Sequence, residues 1–511
     1  MSDGSKGHLI MNGKEKRQVV FIMTDTQGAN MLGCYGRPEL QTPNLDKMAE
    51  QGVRFEKAYT ASPLCGPARS AIFTGTYPHT NGSWANEMPV GDNIVNVGQR
   101  LKDNGVHCGY IGKWHLCGTD YFGNGRCPDY FDPDYWYDMK CYLDEMPTDE
   151  LRTASRQEMT PELVDQYGMD EEFTYAHKCS DKGIDFLAEN ADQDFFLTVS
   201  YDEPHEPFIC PKEYFEKFKN FRYKLGDNFH DDLKDKPEQH RKVAAGLKEW
   251  GAKAVNEDGF WFPAYFAANH YIDYEIGRLL DEIEKQVPDA LVIFTSDHGD
   301  QLFAHGMHGK GPFMYEESNR IPFLVKWPGQ APAEAVAEHP VSHVDITPTL
   351  LDYYGLDVPP FLQGQSILMD IKAPEQQACR NVYAEFGRFD SYADGVGGLI
   401  PIRSVFDGRH KLVINLFQTD ELYDLEKDPG EITNLIDSEE YFAIRNRMHD
   451  QLLEWMDETN DPFRGEHWIN RSWREPKDIP WGKTAARWRL EDGYQPSALR
   501  YGTGLEWDKQ N

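Results

Sequence analysis

The sequence predicts an α/β fold: a large mixed, mostly parallel sheet sandwiched by helices, with a smaller C-terminal α+β domain of antiparallel sheet plus helix. Three observations carry this. Short, nearly continuous apolar runs end abruptly in polar residues, as strands buried on both faces of a parallel sheet do. Helical patterns with readable caps alternate with those runs. Around Pro374 the runs shorten and Asp407-Gly408 adds a hairpin turn between two of them. At 511 residues the chain exceeds one ordinary core. The expected division is a large domain over 1–375 and a smaller one over 376–511.

The first run, Gln18–Thr24, ends at Asp25. Thr42 can cap, Pro43 start and Gly52 stop a helix over 44–51. Pro67 suits a first helical turn, Ala68 to Phe73 continue it and Gly75 ends it, which puts Cys65 at a helix N-terminus. Unpaired N–H groups and the positive end of the helix dipole favour an anion there. The run His107–Gly112 leads to Lys113 and His115, and the run over 195–201 leads to His205. A helix over 271–285 sets Ile272, Ile276, Leu279, Leu280 and Ile283 on one face, and the run over 290–296 ends at Asp297 and His298. Ligands bind outside the carboxyl ends of strands in open α/β sheets, so these polar residues are expected to share one cleft.

Beyond Pro374, residues 382–385, Ile402–Phe406 and 411–415 read as short strands, and 441–456 as a helix. The regions 140–180 and 211–262, rich in acids and aromatics, read as insertions that shape the cleft mouth. The end of the chain carries Trp468, Trp473, Trp481, Trp488 and Trp507, too aromatic for a disordered tail. It is expected to pack over the body or over a neighbouring subunit, the second case giving a homo-oligomer.

Apolar residues are 40% and charged residues 27%, a globular profile, and no run is long enough to span a membrane. The polar, basic stretch 1–17 lacks the apolar core of a secretory signal, so the expected location is cytoplasmic. Nine scattered cysteines suggest neither a disulfide framework nor a metal knuckle. A net charge of −33 argues against nucleic acid as a partner, because phosphate binding needs a basic patch. The same field disfavours polyanionic substrates relative to small ones.

Taken alone, Cys65 reads best as an ordinary partly buried thiol. Its setting, Ser62-Pro63-Leu64-Cys65-Gly66-Pro67-Ala68-Arg69-Ser70, changes that, because the Cys-x-Pro-x-Arg core resembles the site at which type I sulfatases convert cysteine to formylglycine. Further blocks follow in family order: Gly112-Lys113-Trp114-His115, Pro204-His205-Glu206-Pro207, Thr295-Ser296-Asp297-His298-Gly299-Asp300, His308-Gly309-Lys310-Gly311, Val341-Ser342-His343-Val344-Asp345 and Glu421-Leu422-Tyr423-Asp424. One block is weak evidence; the ordered set resembles the type I, formylglycine-dependent sulfatases of the alkaline phosphatase superfamily.

The resemblance implies a metal held by the oxygen donors Asp25 and Asp297, by the modified residue 65 and by His298. It favours Ca²⁺, while a nitrogen donor among few carboxylates also suits Mn²⁺. Many relatives carry two consecutive carboxylates after the first strand, whereas this chain has Asp25-Thr26, and Thr26 is a weak ligand or none. The resemblance makes Lys113 and Lys310 contacts to sulfate oxygens, Arg69 the holder of a hydrated aldehyde on residue 65, and His115 and His205 the proton-transfer groups. Outside their motifs these lysines read as solvated charges and these histidines as core residues. His79, His305 and His308 read as structural, and Trp84, Asn86 and Tyr121 as a lining for a leaving-group ring.

The expected function is hydrolysis of the sulfate ester of a small aryl or carbohydrate substrate, with a formylglycine-generating or anaerobic maturase as partner. The rival enzyme is a phosphonate monoester or phosphate diester hydrolase on the same site, which Thr26 leaves open. A non-catalytic binding protein is a distant alternative, since no residue of the set is lost.

Overall fold

The computed structural model describes residues 16–118, 121–158, 160–168, 170–376, 380–390, 398–474, 499–500 and 503–505. Eight strands form the large sheet: β1 (Gln18–Thr24), β2 (Val53–Phe55), β3 (His107–Gly112), β4 (Trp136–Tyr137), β5 (Phe195–Ser200), β6 (Leu291–Ser296), β7 (Phe323–Lys326) and β8 (Ala335–Ala337). Their order is β8-β2-β7-β6-β1-β5-β3-β4. β1 runs parallel to β5 and β6, with Val19 opposite Phe196 and Leu291, while β7 is antiparallel to β6 and β2.

Alternation along β1 explains the layers. Val20 and Ile22 face one cluster and Val19, Phe21 and Met23 the other, so every residue of the strand is buried, which is why it reads as an unbroken apolar run. The first face is covered by α1 (Pro43–Glu50), the second by α2 (Cys65–Thr74) and α3 (Val97–Asp103). The first also receives α4 (Tyr175–Asn190) and, beyond α5 (Glu238–Ala254), α6 (Pro263–Gln286); the second receives α7 (Ile346–Tyr353). Each fully buried Val, Ile, Leu or Phe in these clusters contributes about 1.5–3 kcal/mol.

Several boundaries differ from the sequence reading for physical reasons. α6 begins at Pro263, because Ala264 to Ala268 are buried on all sides and give no amphipathic period to detect. The Thr42 side chain does not cap α1; its Oγ1 accepts from Gly33 N at 2.8 Å, and Pro43 starts the helix without a side-chain cap. The short strands β2, β4, β7 and β8 have too few residues for a periodic signal.

The C-terminal part forms an antiparallel sheet of β9 (Val382–Phe386), β10 (Ile402–Phe406), β11 (His410–Asn415) and β12 (Glu421–Asp424), packed by α8 (Phe442–Glu458). Trp468 is buried beside α8 with Trp473 against the same cluster, so this part of the aromatic tail packs on its own chain. Trp481, Trp488 and Trp507 lie outside the described residues. No disulfide joins the described cysteines, Cys379 lies outside them, and no described helix is long and apolar enough to cross a membrane.

Candidate active site at the carboxyl edge of the sheet

Three strands from the middle of the sheet, β6 and β1 side by side and β3 beyond β5, deliver the charged residues. Asp25 follows β1, Asp297 and His298 follow β6, and Lys113 and His115 follow β3, while α2 presents Cys65 at its first position. Gly112 makes the turn after β3 feasible: its φ is +110°, and a Cβ would lie 1.9 Å from the Ser200 carbonyl oxygen. Thr26 and His115 also adopt left-handed backbone, with φ of 60° and 58°. Such conformations persist for non-glycine residues where surrounding structure fixes them, as it does in sites.

Asp25, Cys65, Asp297 and His298 each offer one ligand atom, all within 4.8 Å of one another. Cys65 Sγ lies 3.2 Å from His298 Nε2 and 3.7 Å from Asp25 Oδ1, and His298 Nε2 lies 3.7 Å from both carboxylates. His298 Nδ1 sits 2.9 Å from the Gly299 carbonyl, which can only accept, so Nδ1 carries a proton and Nε2 faces the cluster. Two carboxylates, an imidazole nitrogen and residue 65 fit a divalent cation.

Thr26 is an orienting residue in this geometry: its Oγ1 donates to Asp25 Oδ1 at 2.7 Å and its backbone N–H to Asp297 Oδ1 at 3.2 Å. Arg69 differs from expectation. Its guanidinium donates to Asp297 Oδ2 (3.0 Å), Asp25 Oδ2 (3.2 Å), the Lys113 carbonyl (2.7 Å) and Ser200 Oγ (2.8 Å), so it braces the two carboxylates instead of holding residue 65. The fixed fork of arginine suits that bridging task.

Lys310 Nζ lies 2.8 Å from Cys65 Sγ and 3.9 Å from Asp25 Oδ1. Lys113 Nζ lies between Asp25 (2.8 Å) and Asp202 (2.9 Å), over the Tyr121 ring. Burial alone raises the Asp25 carboxyl, but Lys113, His205, Lys310 and Arg69 outweigh it and hold the group well below the usual carboxylate range. Burial and the Asp25 charge push Asp297 up to about 6. Burial and Asp25 raise the Cys65 thiol, and Lys310, Lys113 and His298 more than reverse this, lowering it well below an ordinary thiol.

His115 is buried, and among the described residues neither ring nitrogen has a partner, with the ring edge-on to Tyr121. An orphaned buried imidazole in such a site is poised for a ligand. His205 Nδ1 sits 2.9 Å from the Glu206 carbonyl and 3.1 Å from Tyr121 Oη, which leaves Nε2 for exchange with a substrate.

Asp202 is the residue the sequence reading missed. It links Lys113, Tyr121 Oη (3.2 Å) and the edge of Arg156 (3.8 Å), and it stands two places after β5. The rule that selected Asp25 and Asp297 also selects it. Both insertions reach the site: Arg156 stacks on Phe122, and Trp250 packs on His308 at the start of the Lys310 loop.

Among the other aromatic and histidine candidates, Trp84 packs edge-on to Phe463, and the buried Asn86 accepts from Gly66 N at 3.1 Å beside residue 65. His79 pairs with Glu385, His305 with Asp231 (2.7 Å), and His308 with Asp300 (3.6 Å), all structural.

The sulfatase family model matches residues 17–356, and the model for the N-sulphoglucosamine sulphohydrolase C-terminal region matches 304–458. The sulfatase YidJ of Escherichia coli (strain K12) is 43% identical over 490 residues, covering 95% of this chain and 96% of that protein. A structure solved with its substrate D-glucosamine-2-N,6-O-disulfate superposes with a TM-score of 0.71 at 21% identity, covering 88% of this chain and 99% of that one. The phosphonate monoester hydrolase of Agrobacterium radiobacter superposes with a TM-score of 0.67 at 23% identity, covering 87% and 96%. A family model over more than half the residues, together with a relative that aligns almost end to end, makes this chain a member of the sulfatase family in the alkaline phosphatase superfamily, a sulfuric ester hydrolase.

Proposed function

We propose that the chain hydrolyses the sulfate ester of a small aryl or carbohydrate substrate at the Cys65 cluster, with residue 65 matured to formylglycine. The observation that carries this reading is the Lys310 ammonium 2.8 Å from Cys65 Sγ, on the residue that also touches the Asp25, Asp297 and His298 donor set. Asp25, Asp297, His298 and residue 65 would hold Ca²⁺, with Mn²⁺ as the alternative. Such a cation polarises an anionic ester and acidifies a bound hydroxyl, and a matured residue 65 supplies a hydrated aldehyde in place of a thiol.

The remaining work belongs to the chain's own side chains. Lys113 and Lys310 bind the sulfate oxygens and neutralise charge that grows in the transition state. Asp202 fixes the Lys113 ammonium, and Arg69 keeps the Asp25 and Asp297 carboxylates apart and oriented. His205, anchored through Nδ1, delivers a proton to the leaving oxygen from Nε2, while the unpartnered His115 ring takes a proton near residue 65. The net charge of −33 favours a small monosulfate over a polysulfated chain.

Peptide mass spectrometry of the Cys65 segment after expression with a maturase, with turnover of an aryl sulfate per matured site, tests the reading. Full turnover by the unmodified thiol overturns it.

A second reading, phosphonate monoester or phosphate diester hydrolysis, is favoured by Thr26, which orients Asp25 where a second carboxylate would add negative charge. Parallel assays on an aryl sulfate and an aryl phosphonate monoester separate the two.

A further inference from the structure

A cavity of about 820 Å³ opens where the loop after α2 meets the turn before α7, β9 and the end of α8. None of the candidate catalytic or metal-ligating residues lines it. It begins at Tyr77, beyond the Gly75 cap that ends α2, whereas Cys65 stands at the opposite end of that helix. Its volume falls within the range of small-molecule sites.

Three features of its lining restrict what fills it. First, the wall holds buried polar atoms with no partner among the described residues: Arg380 Nε and Nη1 on a side chain 14% exposed, and His79 Nε2. Buried donors left unpaired are uncommon, so a ligand there presents acceptors to Arg380. His79 holds Glu385 through Nδ1, so its Nε2 takes a donor when neutral. A group that both gives and accepts hydrogen bonds, a hydroxyl, matches the set.

Second, the cavity does not suit an anion. The Arg380 guanidinium is already flanked by Asp370, to which it donates, and by Asp345 Oδ2 at 3.6 Å, too long for a hydrogen bond but close enough to neutralise it. Glu458 at the rim adds another negative charge, so a free carboxylate or sulfate meets no net attraction. A cation is disfavoured in turn by the unpaired N–H groups of Arg380.

Third, one aromatic ring of the wall is open. Tyr383 stacks on Trp455 with ring centres 4.8 Å apart and Tyr77 meets Trp455 edge-on at 4.9 Å, so these rings cover one another, whereas Phe361 is 62% exposed with Arg100 5.3 Å from its ring centre. An exposed aromatic face takes the C–H face of a ring whose edges carry hydroxyls.

We infer that this cavity is an accessory binding site for an uncharged sugar, separate from the Cys65 cluster: the exposed Phe361 ring contacts its apolar face, and Arg380, His79 and the Asp345 carboxylate engage its hydroxyls. The inference does not rest on the substrate assigned to the active site.

The test uses the full chain and a set of uncharged sugars: glucose, galactose, N-acetylglucosamine and their β-linked disaccharides. Binding is followed by saturation-transfer NMR and by tryptophan fluorescence. At least one sugar is expected to bind, and Phe361→Ala and Arg380→Gln each weaken it about fivefold or more, the scale of one lost contact. Lys310→Ala leaves that binding unchanged, and Phe361→Ala leaves aryl sulfate turnover unchanged. Phe361 is exposed, so its variant reports on the site even where Arg380→Gln perturbs the pairing with Asp370. No binding by any sugar overturns the inference, as does binding that Lys310→Ala abolishes and Phe361→Ala leaves intact.

Discussion

Replacing Lys310 by alanine removes the ammonium 2.8 Å from Cys65 Sγ and 3.9 Å from Asp25 Oδ1. A sulfuryl group attacked from residue 65 lies within about 4 Å of that cation, and unit charges so placed interact by about 4 kcal/mol at an effective dielectric constant near 20. Part of this attraction exists already in the bound ester, which is an anion before reaction, and only the increment in the transition state accelerates the step. Loss of one preorganised charge-stabilising group typically lowers kcat by about 10²–10³, and that is the fall expected for Lys310→Ala. The assay is initial rates on p-nitrophenyl sulfate, with kcat and KM resolved and each rate divided by the fraction of residue 65 that is matured. Thermal melts confirm that the variant folds, which is expected because Lys310 lies on a loop and its side chain reaches the surface edge of the cluster. A rise in KM with kcat within about threefold of the parent refutes the reasoning, since it makes Lys310 a uniform binder of ground and transition states.

Asp202→Asn keeps the shape but removes the charge that fixes Lys113 Nζ at 2.9 Å, and kcat is expected to fall about tenfold to a hundredfold, the effect of a misplaced reacting group; unchanged kinetics reject the positioning role. Arg69→Met removes the guanidinium that Asp25 and Asp297 share, leaves Asp297 without its arginine partner while Lys113 still pairs Asp25, and is expected to cost about 3–5 kcal/mol of stability in chelated protein. Added Ca²⁺ narrows that gap by binding the folded state, and equal melting temperatures for variant and parent under chelation count against the bracing role. Glu203, buried next to Asp202, is pushed up to about 8 by burial first and by the Asp202 charge second. Its folded state therefore keeps a proton that the unfolded chain releases above its ordinary value of 4.5, so stability falls as pH rises from about 4.5 to about 8 and is level beyond. Glu203→Gln removes that loss: its melting temperature exceeds the parent's at pH 8.5 and matches it at pH 4, and a constant difference across the range refutes the assignment. Chelation by EDTA is expected to reduce aryl sulfate turnover to background, and Ca²⁺ or Mn²⁺ to restore it.

The parallel strands were legible because burial on both faces writes an unbroken apolar run, as in Gln18–Thr24, and the polar residue that ends each run marks the edge where ligands bind. The end of the first apolar run named Asp25 and the motif blocks named Cys65, Lys113, His115, Asp297, His298 and Lys310, and the structure brings them to one edge of the sheet. The first half of α6 was not legible, since a helix buried all round has no polar face to reveal its period. Asp202 was passed over although it obeys the same strand-end rule, because His205 close behind it carried the more familiar chemistry.

By itself the sequence determined which side chains carry charge and where strands end, because both are local: composition and periodicity are properties of neighbouring residues. The partners of each charge were decided by tertiary structure alone. Arg69, one helical turn from Cys65, points instead at carboxylates delivered by β1 and β6, and Thr26, a departure from the usual pair of acids, became the donor that orients them. Contacts between residues 40 to 271 positions apart depend on how the chain crosses the sheet, and an electrostatic environment is a sum over all such contacts, so no window along the chain contains it.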